Sequence, residues 1–170
     1  MLSLIVLRGN SGSGKTTTAK NLKNKLGHNS LYVSTDQIYV HMVSSLDKEV
    51  KTKVSLELFN SLIEFGFSKN FVIIIDGNMS ADIYEECLLY WKDKIPNNHF
   101  YYFDIPLEET FARHDTRINR IWFSKDKMKE WYAKDNKLRV INEKVINEDM
   151  SEEQTLDMIL SDLEGLAGIT

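Results

Sequence analysis

Near its N-terminus the chain reads Gly9-Asn10-Ser11-Gly12-Ser13-Gly14-Lys15-Thr16, which matches the pattern G-x-x-x-x-G-K-[ST] at every position. An apolar run, residues 2–7, precedes this stretch, and a helical pattern follows it as far as Gly27. Glycines let the backbone turn so that successive N–H groups point at phosphate oxygens, and a helix N-terminus adds partial positive charge. The sequence therefore predicts a phosphate-binding loop between a buried strand and a helix.

Two side chains in the loop, those of Lys15 and Thr16, are predicted to have different functions. The Lys15 ammonium can reach the β- and γ-phosphates of a nucleotide, and the Thr16 hydroxyl can ligate Mg²⁺. The alternative is a glycine-rich turn with a chance lysine, which the strand–loop–helix context disfavours. We expect the nucleotide-binding set to comprise Gly9, Asn10, Ser11, Gly12, Ser13, Gly14, Lys15, Thr16, Thr17 and Arg120.

Two acidic residues directly follow other predicted strands. Asp76 comes after the apolar run 71–75, which is the arrangement that places a carboxylate beside Mg²⁺. Asp36 comes after the run 31–34, and the carboxyl ends of parallel strands line the ligand crevice. A carboxylate there can orient a hydroxyl and accept its proton. The alternatives are an ordinary turn before Gly77, and an N-cap at Asp36 or Thr35.

Three arginines, Arg113, Arg117 and Arg120, follow the fourth predicted strand at spacings of four and three residues. On a helix these spacings place the side chains along one face. Arginine binds phosphate oxygens bidentately, so this face can neutralise charge during phosphoryl transfer. We therefore predict an arginine-bearing lid over about residues 111–124, with Arg113 and Arg117 catalytic. The alternative is a solvated face, paired with Glu109 or Asp115.

Short apolar runs alternate with helical patterns along the whole chain, which predicts an α/β fold with a parallel sheet. Residues 37–45 and 124–136 are predicted helical, and a last strand is predicted near residues 140–146. A long helix is predicted from about Asp47 to Gly66. Its expected buried stripe, spaced by four, four, four and three residues, is Val50, Val54, Leu58, Leu62 and Phe65.

Length and composition limit the class of protein. The chain has 170 residues, which predicts a single domain, and a formal net charge of −4. The acidic balance argues against a broad surface for binding nucleic acid, but it is compatible with a local basic cleft. The single cysteine, Cys87, allows no internal disulfide and indicates a reducing compartment, so we expect a cytoplasmic protein. No apolar run approaches the roughly 18 to 20 residues of a membrane span.

Taken together, these residues resemble the small P-loop kinases related to nucleoside kinases, chloramphenicol phosphotransferases and zeta toxins. The matching parts are residues 9–16, Asp36, Asp76 with Gly77, and the arginine segment 113–120. The stretch 101–114 is also similar to bacterial kinases of unassigned substrate. The resemblance implies a P-loop NTPase three-layer α/β/α fold with a five-stranded parallel sheet in the order 2-3-1-4-5. It also implies ATP with Mg²⁺ as the phosphate donor, Asp36 as the acid facing the substrate, and Arg113 and Arg117 as lid cations.

Several functions remain compatible with these parts. The first is a kinase for a hydroxyl of a small molecule, of the nucleoside, sugar or antibiotic class. The second is a kinase of polynucleotide ends, and the third a toxin-like kinase of a nucleotide sugar. The fourth is a nucleotide-binding switch, but its usual guanine signal Asn-Lys-x-Asp is matched only by Asn136-Lys137-Leu138-Arg139, which lacks the aspartate.

Overall fold

The computed structural model describes residues 2–115 and 124–164. The strands are β1 (Ser3–Gly9), β2 (Ser30–Ser34), β3 (Val72–Gly77), β4 (Asn98–Phe103) and β5 (Lys144–Ile146). The helices are α1 (Lys15–Leu26), α2 (Thr35–Gln37), α3 (Lys48–Ser68), α4 (Ala81–Lys94), α5 (Leu107–Asp115), α6 (Lys125–Trp131) and α7 (Glu152–Glu164). A short 3₁₀ helix, Gly27–Asn29, precedes β2, and a π-helical turn, Ile38–Met42, follows α2.

The five strands form one parallel sheet in the order β2-β3-β1-β4-β5, as the sequence analysis predicts. β1 is central, and its Leu4 pairs with Ile73 of β3 on one side and with Asn98 of β4 on the other. Because every strand is parallel, all five carboxyl ends lie at one edge. The phosphate loop, Asp36 and Asp76 follow β1, β2 and β3, and they are therefore brought to the same edge.

Both faces of the sheet are covered, so the strands alternate between two apolar cores. Leu4 and Val6 belong to the core under α3 and α4, whereas Ile5 and Leu7 belong to the core under α1 and α7. The side chains of all four residues are fully buried. This explains why β1 reads as a continuous apolar run rather than as an alternating one.

The buried stripe of α3 is displaced by one position along the chain from the predicted stripe. Ser55, Phe59, Ile63 and Gly66 are buried, whereas Val50 and Phe65 are about half exposed. Gly66 does not end the helix, which continues to Ser68. A Cβ at Gly66 would lie 2.8 Å from Ile73 Cγ1, so glycine is needed there for close packing of the helix on β3.

Three other elements are shorter than predicted. Residues 37–45 form only the end of α2 and the π-helical turn, α6 ends at Trp131, and β5 begins at Lys144. The chain between α6 and β5 is the return segment, residues 132–143. It buries Leu138 and Ile141 in the core and is otherwise held by polar side chains, which replace the predicted helix and strand hydrogen bonds.

The last helix, α7, begins at a capping box. The Ser151 amide donates to Gln154 Oε1 at 2.9 Å, and the Gln154 amide donates to Ser151 Oγ at 3.1 Å, which is a capping box. Within residues 2–115 and 124–164, no helix has the length and hydropathy that crossing a bilayer requires.

Candidate active site

The phosphate loop places Lys15 at the base of a cleft. Lys15 begins α1, and its side chain is buried, with Nζ donating to the Asn10 carbonyl at 2.7 Å and to Ser13 Oγ at 3.3 Å. The first turn of α1 carries no acidic side chain, and its N-cap, Gly14, makes no side-chain cap. The amides of the first turn are therefore available to an anion, as the motif predicts.

The first two residues of the loop fix it to the rest of the protein. Gly9 has φ +139°, and a Cβ there would lie 2.5 Å from the Phe103 carbonyl oxygen, so only glycine fits beside β4. The Asn10 side chain points away from the loop to the return segment. Its Nδ2 donates to the Ala133 carbonyl and its Oδ1 accepts from the Ala133 amide, each at 2.9 Å.

Thr16 and Asp76, the predicted metal ligands, lie in direct contact. The Thr16 hydroxyl donates to Asp76 Oδ2 at 2.5 Å, and the Tyr32 hydroxyl donates to Asp76 Oδ1 at 2.9 Å. Burial, followed by the charge and hydrogen bond of Asp76, raises the pKa of Tyr32 well above its ordinary value. Tyr32 thus remains a donor that holds the Asp76 carboxylate in place.

The Thr16–Asp76 pair fits Mg²⁺. Hydroxyl and carboxylate oxygens are hard ligands, and Mg²⁺ is held through one or two protein groups together with phosphate oxygens and water. Within residues 2–115 and 124–164, no group of three or more His, Cys, Asp or Glu side chains is arranged to hold a metal ion.

Asp36 lies in the first turn after β2, but it does not cap that turn. The cap is Ser34, whose Oγ accepts from the Gln37 amide at 3.5 Å, so both capping alternatives for Asp36 and Thr35 are wrong. The Asp36 carboxyl group instead interacts with the backbone amide of Asn78, beyond the end of β3. The charges of Lys15 and Asp76 also act on it.

The surroundings of Asp36 favour its neutral form. Asp36 is an exposed residue, yet enough protein surrounds its carboxyl group to desolvate it. This desolvation raises the pKa of Asp36. Asp76 adds to the effect, whereas Lys15 and the Asn78 amide oppose it. A carboxylate with a raised pKa is a better proton acceptor than an ordinary surface aspartate.

Two tyrosines extend the cleft beyond Asp36. Burial raises the pKa of Tyr84 to about 12, and the charges of Asp36, Cys87 and Tyr39 contribute further. The Tyr84 ring packs edge-to-face on Phe59 with centroids 5.6 Å apart, and Lys51 Nζ lies 4.1 Å from the centre of the Tyr39 ring. The side chains that surround the approach to Asp36 are thus aromatic as well as polar.

Arg113 reaches the phosphate loop from the other side. Its Nη1 donates to the Ser13 carbonyl at 3.1 Å, and its Nε donates to Glu109 Oε1 at 2.7 Å. The ion pair with Glu109, which the sequence analysis gave as the alternative to a role at the phosphates, therefore coexists with a contact between Arg113 and the loop. Arg117 and Arg120 lie outside the described residues, as does the middle of the predicted lid.

A cavity of about 590 Å³ opens between the phosphate loop, α1 and the start of α7. Ser13, Thr17, Phe103 and Arg113 contribute to its walls, together with residues 146–152. Asp36 does not contribute to its walls.

Sequence reasoning missed Arg8, the residue directly before the loop. Its side chain is fully buried and pairs with Glu143, with Nη1 at 2.8 Å from Oε1. The sequence does carry a signal for a buried arginine, because Arg8 continues the alternation in which residues 4 and 6 face the core. The predicted strand ended at Leu7, so the prediction gave Arg8 no partner.

No family model and no curated protein matches the chain in sequence. Solved structures match its fold. A sugar kinase from a Janibacter species aligns with a TM-score of 0.69 at 19% identity, covering 96% of this chain and 95% of that one. The APS kinase CysC of Mycobacterium tuberculosis, in complex with AMPPNP and APS, aligns at 0.68 and 17% identity, covering 96% and 98%. The chain has the fold of the small P-loop kinases.

A third match with this P-loop kinase fold is a chain of the Pnkp1/Rnl/Hen1 RNA repair complex. Its TM-score is 0.60 at 21% identity, with 76% of this chain covered. The aligned region is only 42% of that chain, so this protein spans less than half of its length. The sheet order and the resemblance predicted from the sequence are thus confirmed at the level of the fold.

Proposed function

We propose that this protein is an ATP- and Mg²⁺-dependent phosphotransferase that moves the γ-phosphate to a hydroxyl of a small molecule of the nucleoside, sugar or antibiotic class. One observation carries the proposal. Lys15, the Thr16–Asp76 pair and the Asp36 carboxylate meet at the carboxyl ends of β1, β2 and β3. These are the parts that phosphoryl transfer requires: a phosphate cradle, metal ligands and a proton acceptor.

The proposed donor side is built from the phosphate loop. The amides of residues 9–16 and the N-terminus of α1 would bind the β- and γ-phosphates, with Lys15 exchanging its contact with the Asn10 carbonyl for phosphate oxygens. Arg113 and Thr17 line the cavity beside the loop, which suits the base and ribose. The arginines Arg113, Arg117 and Arg120 are proposed to neutralise charge on the phosphates.

Thr16 and Asp76 are the residues proposed to hold Mg²⁺. The ion, when bound, would neutralise negative charge on the β- and γ-phosphates and fix their orientation. Tyr32 and Thr16 already hold the two oxygens of the Asp76 carboxylate, which limits its rotation before any ligand arrives.

On the acceptor side, Asp36 would accept the proton of the attacking hydroxyl. The new bond forms between the acceptor oxygen and the γ-phosphorus, and the bond between the γ-phosphorus and the β–γ bridging oxygen breaks. ADP leaves with the electron pair of that bond. Most of the rate enhancement would come from positioning and electrostatic stabilisation, because a loose transition state needs little covalent help.

A second candidate is a kinase of polynucleotide 5′-hydroxyl ends. Two observations favour it: the fold match to a chain of an RNA repair complex, and five lysines between residues 125 and 137. Lys129 and Lys134 are exposed beside the segment that contacts the phosphate loop. A short oligonucleotide therefore belongs among the acceptors tested.

The test is ADP release from ATP with Mg²⁺ across nucleosides, sugars, aminoglycosides, other hydroxylated antibiotics, nucleotide sugars and a 5′-hydroxyl oligonucleotide. We expect one class to stimulate turnover, and we expect Lys15→Met to abolish that stimulation. Lys20→Met, an exposed lysine on the same helix, is the matched control. ATP binding with no stimulated turnover on any class would favour a nucleotide-binding switch instead.

A further inference from the structure

Arg8 forms the centre of a buried polar network at the carboxyl end of β1. The guanidinium makes five hydrogen bonds: Nη1 to both Glu143 oxygens at 2.8 and 2.9 Å, Nη2 to the Asn136 carbonyl at 2.8 Å, and Nη2 and Nε to the Met79 carbonyl at 2.6 and 3.1 Å. A fully buried charge is retained only when it is paired and fully bonded. The network therefore uses all three guanidinium nitrogens of Arg8.

The first target of Arg8 is the loop between β3 and α4. Met79 has φ +34°, a left-handed conformation that is unfavourable for a side chain of this type. The two hydrogen bonds from Arg8 to its carbonyl stabilise this conformation. The preceding residue is Asn78, whose backbone amide interacts with the Asp36 carboxyl group and lowers its pKa. Arg8 thus acts one residue away from an amide that influences the proposed proton acceptor.

The second target is the return segment. The Asn136 carbonyl accepts a hydrogen bond from Arg8 Nη2. The Asn136 side chain accepts from the Ala81 amide at 3.0 Å and donates to the Asn78 carbonyl at 3.5 Å. Glu143, besides pairing with Arg8, accepts from the Leu138 amide at 2.7 Å. The same residues therefore fasten the return segment to both sides of the 78–81 loop.

The geometry points to a positioning role for Arg8: with Glu143 and Asn136 it holds residues 78–81 in place beside Asp36. The catalytic consequence rests on the proposed function, because it matters only if Asp36 receives a proton from an acceptor hydroxyl. The structural part stands by itself. Arg8 directly precedes the phosphate loop. The same hydrogen-bond network therefore links that loop to residues 78–81, on the Asp36 side of the cleft.

The test replaces the ion pair by apolar residues of similar size, in the double variant Arg8→Met/Glu143→Leu. Such replacements of buried pairs are often neutral or stabilising, so the fold is expected to survive. Amide exchange measured by NMR is expected to become at least about tenfold faster at Ala81, whose N–H donates to Asn136 Oδ1 at 3.0 Å, because the loop loses the hydrogen bonds from Arg8. Lys137→Met, an exposed cation in the same segment, is the control and should leave this rate unchanged.

Turnover supplies the second readout. We expect kcat of the double variant to fall about tenfold to hundredfold while KM for ATP stays within about twofold, as misplacement of a catalytic group predicts. Unchanged exchange at Ala81 overturns the inference, and so does faster exchange with full kcat. If wild-type protein phosphorylates no acceptor, the proposed function fails, and the exchange rates still decide whether Arg8 holds the loop.

Arg8→Lys provides a second variant if the double variant does not fold. It keeps the charge beside Glu143, but a single ammonium cannot bond Met79, Asn136 and both Glu143 oxygens at once. We expect the same direction of change at Ala81, with a smaller size. Wild-type exchange at Ala81 in a folded Arg8→Lys protein would contradict the positioning role.

Discussion

Asp36 is the residue on which the proposed transfer depends most. Asp36→Asn keeps the shape of the side chain but removes the proton acceptor, so we expect kcat to fall about 10²- to 10⁴-fold. KM for ATP should change little, because the phosphate loop is untouched. Steady-state kinetics at saturating acceptor measures both quantities. Asp47→Asn, an exposed neighbour, is the control, and full turnover by Asp36→Asn would remove this residue from the mechanism.

The same substitution has an effect on stability whose sign follows from the raised pKa of Asp36. A folded-state pKa above the ordinary value of 3.8 means that the folded protein binds the proton more tightly than the unfolded chain. Stability therefore falls as pH rises from the ordinary pKa through the raised one. At neutral pH we expect Asp36→Asn to raise Tm slightly, and thermal unfolding at pH 4 and pH 7.5 should show the gain only at the higher pH. A lower Tm at pH 7.5 would contradict this assignment.

Tyr32 offers a test of the metal side of the cleft. Tyr32→Phe removes the hydroxyl that donates to Asp76 Oδ1 and leaves the ring. Hydrogen bonds to charged groups contribute about 1.5–3 kcal/mol, so we expect a loss of about that size in the free energy of unfolding. Urea denaturation measures it. Tyr90→Phe, at an exposed position on α4, should cost nothing measurable, and equal stability of Tyr32→Phe and wild type would show that the bond contributes nothing.

At the scale of single elements, Gly66 distinguishes helix propensity from packing. In an exposed helix interior, alanine is more stable than glycine by about 1 kcal/mol. Gly66 instead lies against β3, where a Cβ would meet Ile73 Cγ1 at 2.8 Å. We therefore expect Gly66→Ala to destabilise the protein by about 1–3 kcal/mol, the typical cost of overpacking.

The measurement is again urea denaturation, with Ser61→Ala on the exposed face of the same helix as the control. Ser61→Ala should be neutral or slightly stabilising, because alanine has the higher helix propensity. A Gly66→Ala protein more stable than wild type would mean that α3 and β3 are less tightly packed than the structure indicates.

The elements also show what the sequence could and could not predict. Strand order followed from the resemblance, and the placement of Asp36 and Asp76 followed from parallel strands sharing one edge. The stripe of α3 was displaced by one residue because its inward face includes Ser55 and Gly66, which no apolar pattern identifies. The return segment was misassigned because its conformation depends on distant partners, Asn10 and Arg8, rather than on local propensity.

At the scale of the whole molecule, ligand binding should increase the free energy of unfolding. A ligand that binds only the folded state at a hundred times its Kd adds about 2.7 kcal/mol. For a chain of this size we expect ATP with Mg²⁺ to raise Tm by about 5–10 °C. Differential scanning fluorimetry measures the shift, which should be absent in Lys15→Met and retained in Lys20→Met. An equal shift in Lys15→Met would place ATP somewhere other than the phosphate loop.

The central claim is transfer of the γ-phosphate to a hydroxyl rather than to water. The most direct measurement is the fate of label from γ-³²P-ATP, incubated with Mg²⁺ and a filtered extract of cell metabolites and resolved by chromatography. We predict a labelled organic product with wild type, none with Lys15→Met, and far less with Asp36→Asn. Label recovered only as inorganic phosphate, or a product formed equally by Lys15→Met, would contradict the account.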